Sequence, residues 1–317
     1  MTDFSDNPDC EHIPVMLKEV IESLRCKPGG IYVDGTVGLG GHALAILQRI
    51  QPDGLLIGID RDKESLDKAD ERLKTYAESV RLVHDNYKNM PLILNNLASG
   101  PVDGILVDLG VSSYQLLSDE RGFSIQSDTH LDMRMDRSQR WTAADIVNNT
   151  PEGELADLIY RYGEEKLSRR IASAIARERS IEPITSCSQL SEIISRTIKG
   201  RGRQTIHPAT RTFQALRIAV NQELEGLEEF LVEAAGFLKT GGRIVTIAFH
   251  SLEDRIVKKT FRRLSGQCVC EAPPELCTCP RQAEGRLVHS RPTTPNRGEL
   301  AVNPRARSAR LRVLEKL

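Results

Sequence analysis

The stretch IYVDGTVGLGGH, residues 31–42, decides the reading of this chain. Ile31, Tyr32 and Val33 form a short β-prone run that ends at Asp34 and passes through four glycines into helical spacing over Gly41 to Ile50, with Pro52 and Gly54 as breakers. That is a strand, a tight turn and a helix, the opening half of a βαβ unit. Working outward, LLIGID (55–60), VRLVHD (80–85) and VDGILVDLG (102–110) supply three more strands of a mostly parallel sheet. GRIVTIAF (242–249) follows only after a long interval, preceded by the helix-patterned run Phe213 to Leu238 and the turn Thr240-Gly241-Gly242. Near the C-terminus the alternation Ala309, Leu311, Val313, Glu315, Leu317 predicts a final strand, with Arg286 to His289 as its neighbour. The fold class is therefore Rossmann-like α/β, with residues 1–115 and 213–317 forming one discontinuous domain. Residues 116–212 form an inserted α-helical subdomain, with amphipathic runs at Glu152 to Arg161, Lys166 to Arg179 and Ser188 to Lys199. Thr142-Ala143-Ala144-Asp145 reads as a helix start, and Pro151 suits a first helical position.

Composition excludes several classes. Across 317 residues, 43 Lys and Arg oppose 44 Asp and Glu for a net charge of −1, so any nucleic-acid site is a local patch rather than a basic coat. With 39% hydrophobic and 27% charged residues the chain is an ordinary folded protein. No apolar run approaches the roughly 20 residues that span a bilayer. Asp3, Asp6, Asp9 and Glu11 stand where a signal peptide would be basic, so a cytoplasmic protein without membrane contact is expected. The odd count of seven cysteines argues for mostly reduced thiols.

The glycine turn lets a ligand lie against backbone at a helix N-terminus, although many βα turns carry glycines for steric reasons alone. Asp60 ends the second strand twenty residues after Gly40, where a carboxylate accepts hydrogen bonds from both hydroxyls of an adenosine ribose. A nicotinamide dinucleotide and S-adenosylmethionine both fit; the absence of Gly-Lys-Ser/Thr argues against a P-loop. Asp108, at the end of the fourth strand, either caps the next turn or meets a ligand's positive charge or an incoming amine. His250 sits at the same sheet edge, in FHSLEDR (249–255). Lys199, Arg201, Arg203, Arg211 and Arg217, with no acid between the first and last, form either a cationic face or a solvated helix end. Seven arginines between Arg286 and Arg312, against Glu299 alone, either grip phosphate or pair with acids elsewhere. Cys268, Cys270, Cys277 and Cys279 make a C-x-C, six-residue gap, C-x-C pattern that suits tetrahedral zinc or a set of reduced thiols.

Together these residues resemble the RsmH (MraW) family of bacterial methyltransferases. The resemblance is carried by HIPV from His12, DGTVGLGGH, GIDRD, DGILVDLGVSSYQL, ERGFS, LDMRMD, YGEE, HPATRTFQALRI, VNQEL, FHSLEDRIVK and NPRARSARLR, in that order along almost the whole chain. It implies a class I methyltransferase fold and S-adenosylmethionine-dependent methylation of the exocyclic N4 amine of a cytidine in 16S rRNA, at the decoding centre. The partner it implies is 16S rRNA within the small ribosomal subunit, with no DNA. Gly40, Gly41 and His42 then receive the cofactor's methionine end, Asp60 its ribose and Tyr87 its adenine, where many members have Phe. Asp108 and Gln115 match the remaining cofactor positions, and the helical insertion resembles a substrate-recognition subdomain. For catalysis, Asp108 and Ser112 are expected to accept the amine hydrogens, with His250 and Arg211 positioning the base or its phosphates. Phe213, Tyr114 and Phe249 are candidate stacking partners for the base. The run Asp-Leu-Gly-Val-Ser-Ser departs from the Asp/Asn/Ser-Pro-Pro-aromatic of other amine methyltransferases, and many family members lack the four cysteines. The rival readings are an NAD-dependent dehydrogenase and a non-catalytic RNA-binding assembly factor.

Overall fold

The structure is a computed structural model that describes residues 13–97, 99–198, 206–270, 272, 276–277 and 281–317. His12, Lys199, Arg201, Arg203 and Cys279 of the sequence reading lie outside the described residues. The chain divides into two compact units, residues 1–110 with 226–317, and residues 111–225.

The first unit runs α1 (Leu17–Leu24), β1 (Ile31–Asp34), α2 (Gly41–Ile50), β2 (Leu55–Asp60), α3 (Lys63–Leu73), β3 (Val80–His84), α4 (Met90–Asn96) and β4 (Val102–Asp108). The chain then leaves for the second unit, α5 (Ser113–Leu117), α6 (Ala143–Asn149), α7 (Glu152–Gly163), α8 (Ser168–Arg179), α9 (Cys187–Ile198) and α10 (Thr210–Asn221). It returns as α11 (Leu227–Gly236), β5 (Leu238–Ala248), α12 (Ser251–Leu264), β6 (Gly285–Leu287), α13 (Arg297–Val302) and β7 (Arg310–Lys316).

Seven strands form one sheet in the order β3-β2-β1-β4-β5-β7-β6. β1 to β5 are parallel, and β7 runs antiparallel to both β5 and β6. Helices cover both faces, so the inner strands are apolar on both sides, as parallel sheets require. Alternate residues divide between two cores. Leu56, Leu106, Val245 and Ile247 meet α1, α2 and α3 through Val20, Leu24, Ile46, Leu66 and Leu73. Ile57, Ile59, Ile105, Val107 and Ile244 meet α4, α11 and α12 through Met90, Leu94, Phe230, Leu231 and Phe261. Glu315, the polar member of the last strand's alternation, is buried too, because Arg243 on β5 donates to its Oε2 through Nε and Nη2 at 2.9 and 2.8 Å.

The second unit has its own core, built from Val147, Leu155, Ile159, Ile171, Ile175, Leu190, Ile194, Phe213 and Leu216. Buried Asn221 fastens the segment before α6, accepting from Met135 N–H at 2.8 Å and donating to the Met133 carbonyl at 2.8 Å. Gly163 lies so close to α10 that a Cβ there would sit 2.5 Å from the Arg211 carbonyl oxygen.

Three readings are adjusted. The helical pattern over Phe213 to Leu238 is two helices, broken where Gln222 and Gly226 adopt positive φ, 49° and 69°. The division accordingly falls at 110/111 and 225/226 instead of 115/116 and 212/213, because Val111 packs against the helical unit's core and Phe213 and Leu216 of α10 belong to it. Pro151 is the N-cap of α7, one position before its first helical residue.

Candidate active site

The strand order reverses between β1 and β4, and the crevice at the carboxyl ends beside such a reversal is where open α/β sheets bind ligands. In the sheet unit, the loops leaving β1, β2, β4 and β5 bring Asp34, Gly40, Gly41, His42, Asp60, Asp108 and His250 to this edge. The turn after β1 is held by its own polar groups. Gly35 N–H donates to the Leu106 carbonyl at 2.9 Å, and Asp108 N–H donates to Thr36 Oγ1 at 2.7 Å. Gly38, with φ 52°, directs its N–H to Asp60 Oδ2 at 2.7 Å, while Asp62 N–H donates to Oδ1 at 2.8 Å. Each Asp60 oxygen keeps a second lone pair, which is what two ribose hydroxyls need.

Gly40, with φ 79°, is the N-cap of α2. Gly41 is glycine for a different reason, since a Cβ there would lie 2.3 Å from Pro14 Cγ. His42 donates through Nε2 to the Val15 carbonyl at 3.0 Å, and its Nδ1 is 3.8 Å from Asp108 Oδ2. Tyr87 follows β3 and stands edge-on to Phe230, with ring centroids 4.8 Å apart. Its Cβ is 3.2 Å from where a Gly35 side chain would begin, which places an aromatic beside the glycine turn.

The electrostatics of this edge are dominated by acids. Asp34 is wholly buried; its Oδ1 accepts from Thr36 N–H at 3.1 Å, and its Oδ2 has no hydrogen-bond partner. Asp108 Oδ1 is similarly unpartnered. Burial pushes the Asp34 carboxyl from 3.8 up to about 7, with the negative charge of Asp60 adding to the rise. Burial also pushes Asp60 up to about 6, against the two amides that favour its ionised form. Asp108 is raised well above the carboxylate range by burial first, then by Asp34 and Glu253. One wholly buried and two half-buried acids with unused acceptor oxygens suit a ligand that brings hydroxyls and positive charge.

The remaining predicted site residues have local structural duties. His250 is the N-cap of α12, with Nδ1 3.4 Å from Glu253 N and Nε2 3.2 Å from the Glu253 carboxylate. In the helical unit, Ser112 and Gln115 form a capping box for α5: Ser112 Oγ accepts from Gln115 N–H at 3.2 Å, and Gln115 Oε1 accepts from Ser112 N–H at 3.0 Å. Arg211 is exposed at the start of α10, 3.8 Å from Glu165. Arg217 leaves the expected cationic face, because it is bound at 2.9 and 2.8 Å to the two oxygens of Glu223. Phe213 is in the helical core, which removes it as a stacking partner, since a base must reach the ring face. Sequence reasoning passed over Asp34, Thr36 and Glu253 as site residues.

The chain matches the MraW methylase family over residues 9–317. It belongs to that family. A protein named ribosomal RNA small subunit methyltransferase H from Citrifermentans bemidjiense is 49% identical over 310 residues, covering 98% of this chain and 99% of its own. Proteins of the same name from Pelobacter propionicus and Geobacter sulfurreducens are 50% and 52% identical over 309 and 307 residues, covering 97% and 96% of this chain and 99% of each relative. The sheet of this MraW methylase is that of a Rossmann-like, S-adenosylmethionine-dependent class I methyltransferase, with the helical insertion between β4 and β5.

Two further expectations concern this methylase's C-terminal part. Cys268, Cys270 and Cys277 place their sulfurs 3.3, 3.4 and 3.5 Å apart. These separations far exceed the roughly 2.05 Å of a disulfide. They lie close to the roughly 3.8 Å between thiolates on tetrahedral zinc, where each Zn–S bond is about 2.3 Å. Three of the seven tail arginines are paired with acids, two of them sharing one carboxylate. Arg286 pairs with Glu315 at 2.5 Å, and Arg310 and Arg312 pair with Asp254 at 2.9 and 2.7 Å. Arg291, Arg297, Arg305 and Arg307 are exposed. Among the described residues, no helix is long and apolar enough to cross a membrane.

Proposed function

We propose that this chain transfers the methyl group of S-adenosylmethionine to the exocyclic N4 amine of a cytidine in 16S rRNA, at the decoding centre of the small ribosomal subunit in the cytoplasm. The observation that carries the choice of cofactor is the acid set Asp34, Asp60 and Asp108, two of whose buried oxygens have no donor. S-adenosylmethionine, when bound, supplies an electrophilic methyl on a sulfonium and brings an ammonium and two ribose hydroxyls. Asp60 accepts those hydroxyls, Asp108 faces the positive methionine end beside Gly40, Gly41 and His42, and Tyr87 flanks the adenine. Gln115 completes the set by family resemblance. A dinucleotide would instead press its anionic pyrophosphate toward the same acids.

The N4 amine of cytosine is a weak nucleophile, because its lone pair is delocalised into the ring. The chain's task is therefore to align it, accept its hydrogens and exclude water. Asp108 is assigned as an acceptor of the amine hydrogens, and Ser112 is assigned with it by resemblance. His250, fixed by its cap on α12, and Arg211, on the helical unit, position the base or its phosphates. The helical unit as a whole is assigned to substrate recognition. Zinc is assigned to Cys268, Cys270 and Cys277, with Cys279 as the fourth thiolate expected from the sequence pattern; its role is to hold the loop. The test of the main reading is methyl transfer from labelled cofactor to small subunits that lack the modification, read by nucleoside mass spectrometry. N4-methylcytidine is expected; its absence from protein that binds S-adenosylhomocysteine would overturn the acceptor assignment.

A further inference from the structure

One strongly charged surface has no part in methyl transfer as described. α12 buries Leu252, Val257, Thr260, Phe261 and Leu264 and exposes Arg255, Lys258, Lys259 and Arg262. Those four follow the i, i+3, i+4, i+7 spacing that puts side chains on one helix face. With Val269 and Cys270 they line a groove of about 560 Å³, and among the described residues no carboxylate lines it. Arg263 on the same helix is paired with Glu228 at 2.7 Å, and Arg255 has an interaction of its own. Among the described residues, no carboxylate lies within ion-pair distance of Lys258 or Lys259. Arg255 with Lys259, and Lys258 with Arg262, are like charges four residues apart, an arrangement that works against the helix. Lys258, Lys259 and Arg262, exposed side by side on a chain of net charge −1, mark a place where an anion offsets the repulsion.

We propose that this groove binds the sugar–phosphate backbone of the RNA substrate beside the target nucleotide. The inference rests on the methylation reading and adds a docking surface to it. α12 begins at the carboxyl edge of β5, directly after His250, so its cationic face leads away from the candidate active site within one unit. Arg255 to Arg262 spans about 10 Å of helix at roughly 1.5 Å per residue, enough for two or three phosphates of a strand. The opposite wall, Val269 and Cys270, belongs to the thiolate loop, so a metal held there would fix the groove's width. Exposed arginines and lysines along a groove with no carboxylate among its described lining residues match phosphate, for which arginine provides forked donors and lysine a point charge.

The test uses the full chain with Lys258→Glu/Lys259→Glu, with Lys258→Gln/Lys259→Gln as the milder pair and Lys258→Arg/Lys259→Arg as the rescue. Thermal unfolding should be no lower than in the wild type, since charge reversal turns two repulsive i, i+4 pairs into attractive ones, and S-adenosylhomocysteine affinity should match it. KM for small subunits is expected to rise about tenfold, with kcat within about twofold. The slope of log affinity against log salt, for a protein-free fragment of the 16S rRNA, should flatten by about 1.4, at roughly 0.7 per lost phosphate contact on a single strand. Unchanged KM and slope in folded variants would overturn the proposal. A higher KM on subunits with an unchanged slope on protein-free RNA would also overturn it, and would assign the groove to a ribosomal protein. If the wild type forms no N4-methylcytidine, the methylation reading fails, and the slope on the fragment still decides the groove.

Discussion

Asp34→Asn should reverse the stability order of variant and wild type between about pH 4.5 and about pH 8. The carboxyl is wholly buried at the end of β1, with one oxygen held by Thr36 N–H and the other without a donor. Burial raises it from 3.8 to about 7. Between those values the folded chain keeps a proton that the unfolded chain has lost. Stability is therefore fully present below about pH 4 and is lost as pH rises through about 7. At about 1.4 kcal/mol per pH unit, the gap corresponds to about 4 kcal/mol lost near pH 8. Asparagine keeps the Oδ1 acceptor and cannot ionise, but its buried amide costs about 1–3 kcal/mol if it finds no acceptor. The variant should thus be less stable than wild type near pH 4.5 and about 1–3 kcal/mol more stable near pH 8. Urea unfolding of both proteins from pH 4.5 to 8.5 measures this directly. A wild-type minus variant difference that stays constant across the range would mean that Asp34 titrates normally and that the acid set is not desolvated. Affinity for S-adenosylmethionine should fall in the variant at every pH, so a stabler protein that binds its cofactor less well is the expected trade.

Asp108→Ala should lose both S-adenosylmethionine affinity, by calorimetry, and turnover; a variant that keeps both removes Asp108 from the site. Gly41→Ala drives a methyl into Pro14 and should lower stability by about 1–3 kcal/mol in urea unfolding, with an unchanged value showing that Pro14 simply moves aside. Asp254→Ala strands Arg312, whose side chain is 10% exposed, and should cost about 3–5 kcal/mol. Arg312 and Arg310 hold the Asp254 carboxyl below its ordinary range against the opposing effect of burial, so the wild type should lose this contribution only as the pH falls through that depressed value. Metal analysis of untreated protein should find about one equivalent of zinc, and Cys268→Ser should reduce it; less than half an equivalent in the untreated protein would leave the three sulfurs as thiols.

The strands were readable because inner strands of a covered parallel sheet are continuous apolar runs, and each such run here is bounded by a glycine, proline or charged turn. The end of the helical unit was not readable. The apolar spacing of Phe213 to Leu238 continues across Gln222, and a glutamine at positive φ carries no mark in sequence. Gly226 was the available signal, and an isolated glycine in a helical pattern is ambiguous. The arginine tail shows a related boundary. Its charge count is a property of the sequence, but whether a given arginine is spent depends on an acid far along the chain, as with Arg312 and Asp254, 58 residues apart. The cysteine spacing was legible because its partners are local.

Position along the strands placed Gly40, Gly41, His42, Asp60 and Asp108 at one edge of the sheet, where open α/β sheets bind ligands. Position does not report which residues the fold already employs. Gly41 reads as room for a ligand, and Pro14 occupies that room. His250 reads as chemistry, yet its ring caps a helix through the His-x-x-Glu spacing that Ser112 and Gln115 repeat in another guise. Asp34 was overlooked because the strand pattern already accounts for it as the end of the first strand. Only burial reveals that it shares a desolvated edge with Asp60 and Asp108. That grouping supports one side of the choice that the glycine turn and Asp60 leave open. A dinucleotide and S-adenosylmethionine share a ribose, and therefore share Asp60. They differ in the sign of the charge carried past the turn, and desolvated acids at that place favour the cation.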